Sequence, residues 1–81
     1  MAVRLRLSRV GGKGKPIYRI IAADSEAPRD GAFLEILGNY DPNKTPAEVV
    51  LKEERIRKWV TMGARPTLTV LQLMKKKGIS I

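Results

Sequence analysis

Residues 3–24 read VRLRLSRVGGKGKPIYRIIAAD, two candidate β-strands separated by a loop rich in glycine and lysine. Val3, Leu5 and Leu7 alternate with polar residues, which is the period of a strand with one buried and one wet face. Residues 17–23 are apolar on both sides, which favours a central position in a sheet. Residues 11–16 contain three glycines and one proline. We therefore predict two strands joined by a flexible loop.

Further strands are predicted in the middle of the chain. Residues 33–37 read as a third strand, which follows an Asp-Gly turn pair and is a candidate hairpin partner of the second strand. Residues 38–46 are rich in turn-forming residues and are predicted to form a long loop. A short apolar run at 49–51 predicts one more strand.

Two helices are predicted after the strands. Residues 53–62 carry apolar side chains at helical spacing, and Gly63 is placed to end this helix. Trp59 lies on its apolar face and is assigned to the core. Thr67 is placed to cap a second helix that stops at Gly78. Strands followed by helices predict an α+β fold, with a small mixed or antiparallel sheet of three to five strands and two C-terminal helices packed on one face.

Length and residue usage exclude several classes of protein. The 81 residues suffice for one domain, which we assign to residues 1–81. The chain has no Cys, and the absence of His as well removes zinc sites of the Cys/His type and imidazole-based catalytic triads. The longest apolar run has four residues, against about 20 for a membrane-spanning helix. We predict a protein that is not an enzyme and needs no cofactor, metal, membrane or small-molecule substrate.

The net charge of +8 is distributed unevenly along the chain. Residues 1–23 carry six basic groups and no acid, residues 24–54 carry all eight acids and three bases, and residues 55–81 carry seven bases. Two basic ends around an acidic middle predict a surface that faces a polyanion. Arginine suits such a surface because its planar fork matches phosphate oxygens. From charge alone, the candidates for RNA contact are Arg4, Lys75, Lys76 and Lys77.

The glycine-rich loop at 11–15 invites comparison with a nucleotide-binding phosphate loop. That motif needs Gly where Arg9 stands and Ser or Thr where Pro16 stands, and a helix must follow it. Here a strand is predicted to follow. Bare glycine backbone with two lysines is better suited to contact with a nucleic-acid backbone.

Two alternative functions stay open at this point. The predicted helix pair, joined at residues 63–66, allows a DNA-binding protein in which Thr69 and Gln72 read base edges. Three aspartates allow a metal-dependent nuclease, although two of them sit in turn signals that already explain them. These aspartates are Asp24, Asp30 and Asp41.

The chain also resembles a known family over nearly its whole length. The stretches that carry the resemblance are LRLSR at 5–9, KPIYRIIAADS at 15–25, PRDG at 28–31, LEILGNYDP at 34–42, RI at 55–56, WV at 59–60 and GARPT at 63–67. They are similar to the family of the sixteenth small-subunit ribosomal protein of bacteria and plastids. This sequence departs from the family pattern at Glu26, where a basic residue is common, and at Lys52 and Leu68, where acids are common.

The resemblance implies a small α+β protein bound to the 5′ domain of small-subunit ribosomal RNA, where it helps to fold and lock RNA junctions during assembly. It implies a ribosomal location in the cytoplasm or the plastid stroma. The partners that it implies are small-subunit ribosomal RNA and neighbouring small-subunit ribosomal proteins. The free protein is expected to be a monomer. Carried over by position, the RNA-contacting candidates are Arg6, Arg9, Lys13, Lys15, Arg29 and Arg65.

Overall fold

The computed structural model describes residues 2–11, 14–26 and 33–79 of the chain. Over these residues the elements are β1 Val3–Val10, β2 Ile17–Asp24, β3 Glu35–Asp41, β4 Glu48–Leu51, α1 Glu53–Thr61, β5 Arg65–Pro66 and α2 Leu68–Lys76. The strands form one sheet in the order β4-β3-β2-β1-β5. β1 and β5 are parallel, and the other neighbours are antiparallel. The predicted α+β class, with strands first and two helices last, is confirmed.

The hydrophobic core lies between the helices and one side of the sheet, called here the helix side. The alternation in β1 and β2 creates this side, because Leu5 pairs with Ala22 and Leu7 pairs with Ile20. The opposite side of the sheet is called the far side. The core draws residues from three strands, both helices and the segments that follow them: Leu5, Ile20, Ala22, Leu37, Ile56, Ala64, Val70, Met74 and Ile79.

Both helices end at the glycines that the sequence places there. Gly63 and Gly78 have φ angles of +101° and +76°, a region that side chains with a Cβ rarely adopt. Each donates its N–H to the carbonyl three residues earlier, at 2.9 and 3.0 Å, which closes the helix end. At the start of α2, the hydroxyl of Thr67 accepts the N–H of Val70, as predicted. Among the described residues, no helix is long and apolar enough to cross a membrane.

Two elements differ from the sequence prediction. The third strand was predicted at 33–37, but β3 extends from Glu35 to Asp41. Gly38 and its neighbours have turn-type sequences, yet they pair with β2 on one side and β4 on the other, and this pairing outweighs their local preference. The second difference is β5, whose two residues were predicted to be a connection between helices. They pair in parallel with β1 and add the fifth strand.

A half-buried cluster of polar side chains ties α1 to β3. The guanidinium of Arg55 donates two hydrogen bonds to the carboxylate of Glu35, at 2.5 and 2.6 Å. The indole N–H of Trp59 donates a third, at 3.0 Å. These contacts lower the pKa of Glu35 to about 2, first through the hydrogen bond from Arg55 and then through the indole and the nearby positive charges. Trp59 also packs against the core, as predicted.

The lowered pKa predicts a pH-dependent contribution of Glu35 to stability. The carboxyl group ionises near 4.5 when free of these contacts and near 2 in the folded protein. Because the pKa of Glu35 is lower in the folded protein, its ionised carboxylate stabilises the fold fully at pH values above about 4.5. This contribution is lost as the pH falls towards 2. We therefore expect Glu35→Gln to lower the thermal midpoint of unfolding at pH 7. The difference in midpoint between this variant and the wild type should shrink as the pH approaches 2. Glu54→Gln, an exposed acid of α1, is the control, and a constant difference between Glu35→Gln and wild type across the pH series would contradict the prediction.

Candidate nucleic-acid interface

Four arginines lie on the far side of the sheet and are called here the arginine face. Arg4 and Arg6 point to this side because Leu5 and Leu7, which alternate with them, point to the core. Arg65 lies beside Arg4 because the two residues are partners in the parallel β1–β5 pair. The structure thus brings together candidates that are about 60 residues apart in sequence. The fourth member is Arg19.

The sequence predicts that Arg19, together with Arg9, Lys13 and Lys15, continues the basic patch of Arg4 and Arg6, but Arg19 is not among the ten selected contact candidates. Its partner in β1 is Ser8, which lies on the far side two residues after Arg6. Arg19 is exposed, as are Arg4 and Arg65, whereas Arg6 is half-buried. The alternation of residues 17–23 places Arg19 on the same side of β2 as Ile17 and Ile21. The register with β1 shows that this is the side of the arginines, where Arg19 lies diagonally opposite Arg6.

The part of the far side formed by β1, β2 and β5 carries no acid. Its residues are Arg4, Arg6, Ser8, Val10, Ile17, Arg19, Ile21, Ala23 and Arg65. Among the strand residues that the structure describes, acids appear on this side only towards β4, where Glu48 pairs with Lys44 at 2.8 Å. There, the carboxylate of Asp41 accepts the backbone N–H of Asn43 at 2.9 Å. The strands β1, β2 and β5 therefore place no carboxylate on the side of the sheet that carries the arginine face.

The other N-terminal candidates lie away from the arginine face or outside the described residues. Arg9 is exposed on the helix side of the sheet, where its partner is Tyr18. Lys15 is exposed in the loop that leads into β2. Lys13 and Arg29 lie outside the described residues, so their predicted contacts stay predictions.

The three C-terminal lysines form a separate group. Lys75, Lys76 and Lys77 are exposed at the end of α2. Lys77 lines a groove together with Val50 and Leu51 of β4, the edge strand opposite β5. Because β4 and β5 are the two edges of the sheet, Lys77 lies near the edge opposite to the one that carries Arg65. The ten candidates do not share one surface.

Local structure accounts for two of the three aspartates behind the nuclease alternative, Asp24 and Asp41. The carboxylate of Asp24 accepts the N–H of Glu26 at 2.9 Å, a turn contact like that of Asp41, and Asp30 lies outside the described residues. Among the described residues, no group of three or more acids, histidines or cysteines is placed to hold a metal ion. In α2, the residues Val70, Leu73 and Met74 are buried, so this helix packs on the sheet with its apolar face.

Comparison with known proteins identifies the family. Residues 9–67 match the family model described as ribosomal protein S16. The chain is 58% identical over 80 residues to the small ribosomal subunit protein bS16 of Desulforapulum autotrophicum, an alignment that covers 99% of this chain and 95% of that protein. It is 60% identical over 77 residues to the protein of the same name from Dictyoglomus thermophilum, covering 95% and 83% of the two chains. The corresponding protein of Clostridium botulinum is 49% identical over 81 residues, covering 100% and 99%.

These relatives come from bacteria, and the comparisons give no support to the plastid alternative. The matched range includes β1 from Arg9 onwards, all of β2, β3, β4, α1 and β5, and the cap of α2. The resemblance noted in the sequence is confirmed by these matches. The chain therefore belongs to the ribosomal protein S16 family, a family of structural proteins of the small ribosomal subunit and not of enzymes.

Proposed function

We propose that this protein is a structural constituent of the small ribosomal subunit that binds the 5′ domain of small-subunit ribosomal RNA and stabilises its fold during assembly. The observation that carries the proposal is the arginine face, with four arginines and no acid on the far side of β1, β2 and β5. A surface with three exposed arginines, a half-buried fourth and no carboxylate among its strand residues suits the phosphate backbone of folded RNA.

In this mechanism the arginine face recognises the arrangement of phosphate groups in the folded RNA and does not read the base sequence. Each guanidinium donates paired hydrogen bonds to phosphate oxygens. Because the arginines are carried by neighbouring strands, their backbone positions are fixed before binding, which lowers the entropy lost on association. RNA arrangements that bring several phosphate groups onto this surface bind more tightly than open arrangements. The protein thereby shifts the RNA equilibrium towards the compact state.

The remaining cations extend the interface in this proposal. Arg9, Lys13 and Lys15 contact RNA around the first loop, Arg29 contacts it from the following segment, and the lysine cluster of residues 75–77 contacts it at the opposite edge of the sheet. The whole chain, residues 1–81, acts as one RNA-binding domain. It is a monomer when free, needs no cofactor or small-molecule substrate, and lies next to other small-subunit proteins in the assembled subunit.

The electrostatic part of the proposal predicts a steep dependence of affinity on salt. If about six phosphates are engaged, the logarithm of the association constant should fall with the logarithm of salt concentration at a slope of roughly −4 to −5. Filter binding of the purified protein to a 5′-domain transcript over a salt series measures this slope. A slope near zero would contradict phosphate neutralisation as the source of affinity.

Co-sedimentation tests the assignment to the ribosome. The protein should remain with small ribosomal subunits through a sucrose gradient at high salt, and it should be absent from large subunits. Competition between duplex DNA and the 5′-domain transcript separates this function from DNA binding by the helix pair. Release by duplex DNA at concentrations where ribosomal RNA does not compete would overturn the proposal.

A further inference from the structure

Two tyrosines that are distant in sequence form a stacked pair at the loop end of the sheet. Tyr18 of β2 and Tyr40 of β3 are register partners on the helix side. Their ring centroids are 6.0 Å apart and their planes are inclined by 25°. Arg9 is the partner of Tyr18 on the other side, in β1, so the three side chains form one row across three strands. The row combines an aromatic surface with a cation.

The two rings differ in their surroundings. Tyr40 packs against the hydrophobic core, whereas Tyr18 is not among the residues that line this core. Tyr18 is half-buried and lies between Tyr40 and the exposed side chain of Arg9. Stacking on Tyr40 fixes the orientation of the Tyr18 ring. Packing of the core does not explain why a partly accessible ring with a fixed orientation lies beside an exposed arginine.

The charges around this row favour an anionic ligand. Arg9 and Lys15 are both exposed, and Lys15 lies in the loop three residues before Tyr18. The acid that follows Tyr40 in β3 is Asp41, which by strand alternation points to the far side. Its carboxylate is engaged with the backbone and side chain of Asn43, at 2.9 and 3.1 Å. The aromatic row therefore carries the positive charge of Arg9 on the helix side, and Lys15 adds a second exposed cation close by in the chain.

We propose that Tyr18 and Arg9 form a binding site for one unpaired nucleotide of the RNA, with the base stacked on the Tyr18 ring and a phosphate bound by Arg9. The inference rests on the proposed function and adds a site to it, because it assigns a contact to a base and not only to the backbone. Aromatic rings on neighbouring strands of a sheet stack single-stranded bases in RNA-binding proteins, and such stacking tolerates any base. This site is on the opposite side of the sheet from the arginine face.

The test compares Tyr18→Leu with Tyr18→Phe in binding to a 5′-domain transcript. Loss of the ring in Tyr18→Leu should weaken binding by roughly 5- to 150-fold, whereas Tyr18→Phe keeps the ring and should bind like the wild type. Stacking involves no counterion release, so the salt slope of Tyr18→Leu should be unchanged, while that of Arg9→Gln should be shallower by about 0.7 to 0.9. Wild-type affinity of a folded Tyr18→Leu variant would overturn the site.

A second measurement uses the unmodified protein and does not depend on the folding of any variant. Ultraviolet irradiation of the complex should attach a nucleotide to Tyr18, detected by mass spectrometry in the tryptic peptide of residues 14–19, in which Tyr18 is the single aromatic residue. Adducts on other peptides without one on Tyr18 would overturn the site while leaving the proposed function intact. Failure of the wild-type protein to bind the transcript would instead refute both.

Discussion

Replacing Arg4, Arg19 and Arg65 together by glutamine is expected to weaken binding to the 5′-domain transcript by on the order of 10²–10³-fold at about 0.1 M salt. Each phosphate contact contributes roughly 0.9 to the salt slope, so the loss of three contacts removes about 2.7 logarithmic units of affinity at this salt concentration. The slope should become shallower by the same amount. All three side chains are exposed, so the fold should be retained. Filter binding over a salt series measures both quantities.

The matched control removes the same charge from the opposite edge of the protein. Lys75, Lys76 and Lys77 changed to glutamine lose three positive charges, and they too are exposed. Lysines at a helix end are mobile point charges, so we expect the three to engage about one phosphate between them, and their loss should cost at most about tenfold in affinity. Arg6 is left unchanged in both variants because it is half-buried. If the lysine variant lost more affinity than the arginine variant, the arginine face would not be the main RNA surface.

Local sequence signals predicted the elements whose pattern is strong within a few residues. The alternation at Val3, Leu5 and Leu7 predicted β1 and its buried side. Helical spacing placed α1 and α2, and Gly63 and Gly78 marked their ends within one or two residues. These features depend on interactions between near neighbours in the chain, which a single sequence contains in full.

Features that depend on pairing between distant segments could not be predicted. β5 has only two residues, and it becomes a strand because it lies along β1. The same parallel pair places Arg65 next to Arg4, and the β1–β2 register places Arg19 on the same side of the sheet as these arginines. The stacking of Tyr18 on Tyr40 likewise follows from the β2–β3 register. The distribution of charge along the sequence therefore identified most of the basic residues proposed to contact RNA. Only the pairing of the strands shows which of them lie on the same surface.

Gly38→Ala is expected to destabilise the protein by about 3 kcal/mol or more, at the upper end of what overpacking costs. A Cβ atom at this position would lie 2.1 Å from the carbonyl oxygen of Val50 and 3.1 Å from the Cα of Leu51. Both are backbone atoms of β4, so no rotation of a side chain can relieve the overlap. Accommodation requires β4 to move away from β3, which breaks the antiparallel pair that extends the sheet. This cost is a large fraction of the free energy of unfolding, roughly 4–12 kcal/mol, that is expected for a domain of this size.

Gly63→Ala separates the steric cause from the general effect of replacing glycine. Gly63 has a φ of +101° and no atom within 4 Å of an added Cβ, so its replacement costs only the backbone strain, about 1–2 kcal/mol. Gly38 has the opposite combination, with a severe contact and no positive φ. Urea denaturation of both variants should therefore rank Gly38→Ala as clearly less stable. Equal midpoints would mean that β4 moves at little cost, and the close approach of β3 and β4 at Gly38 would then not be a requirement of the fold.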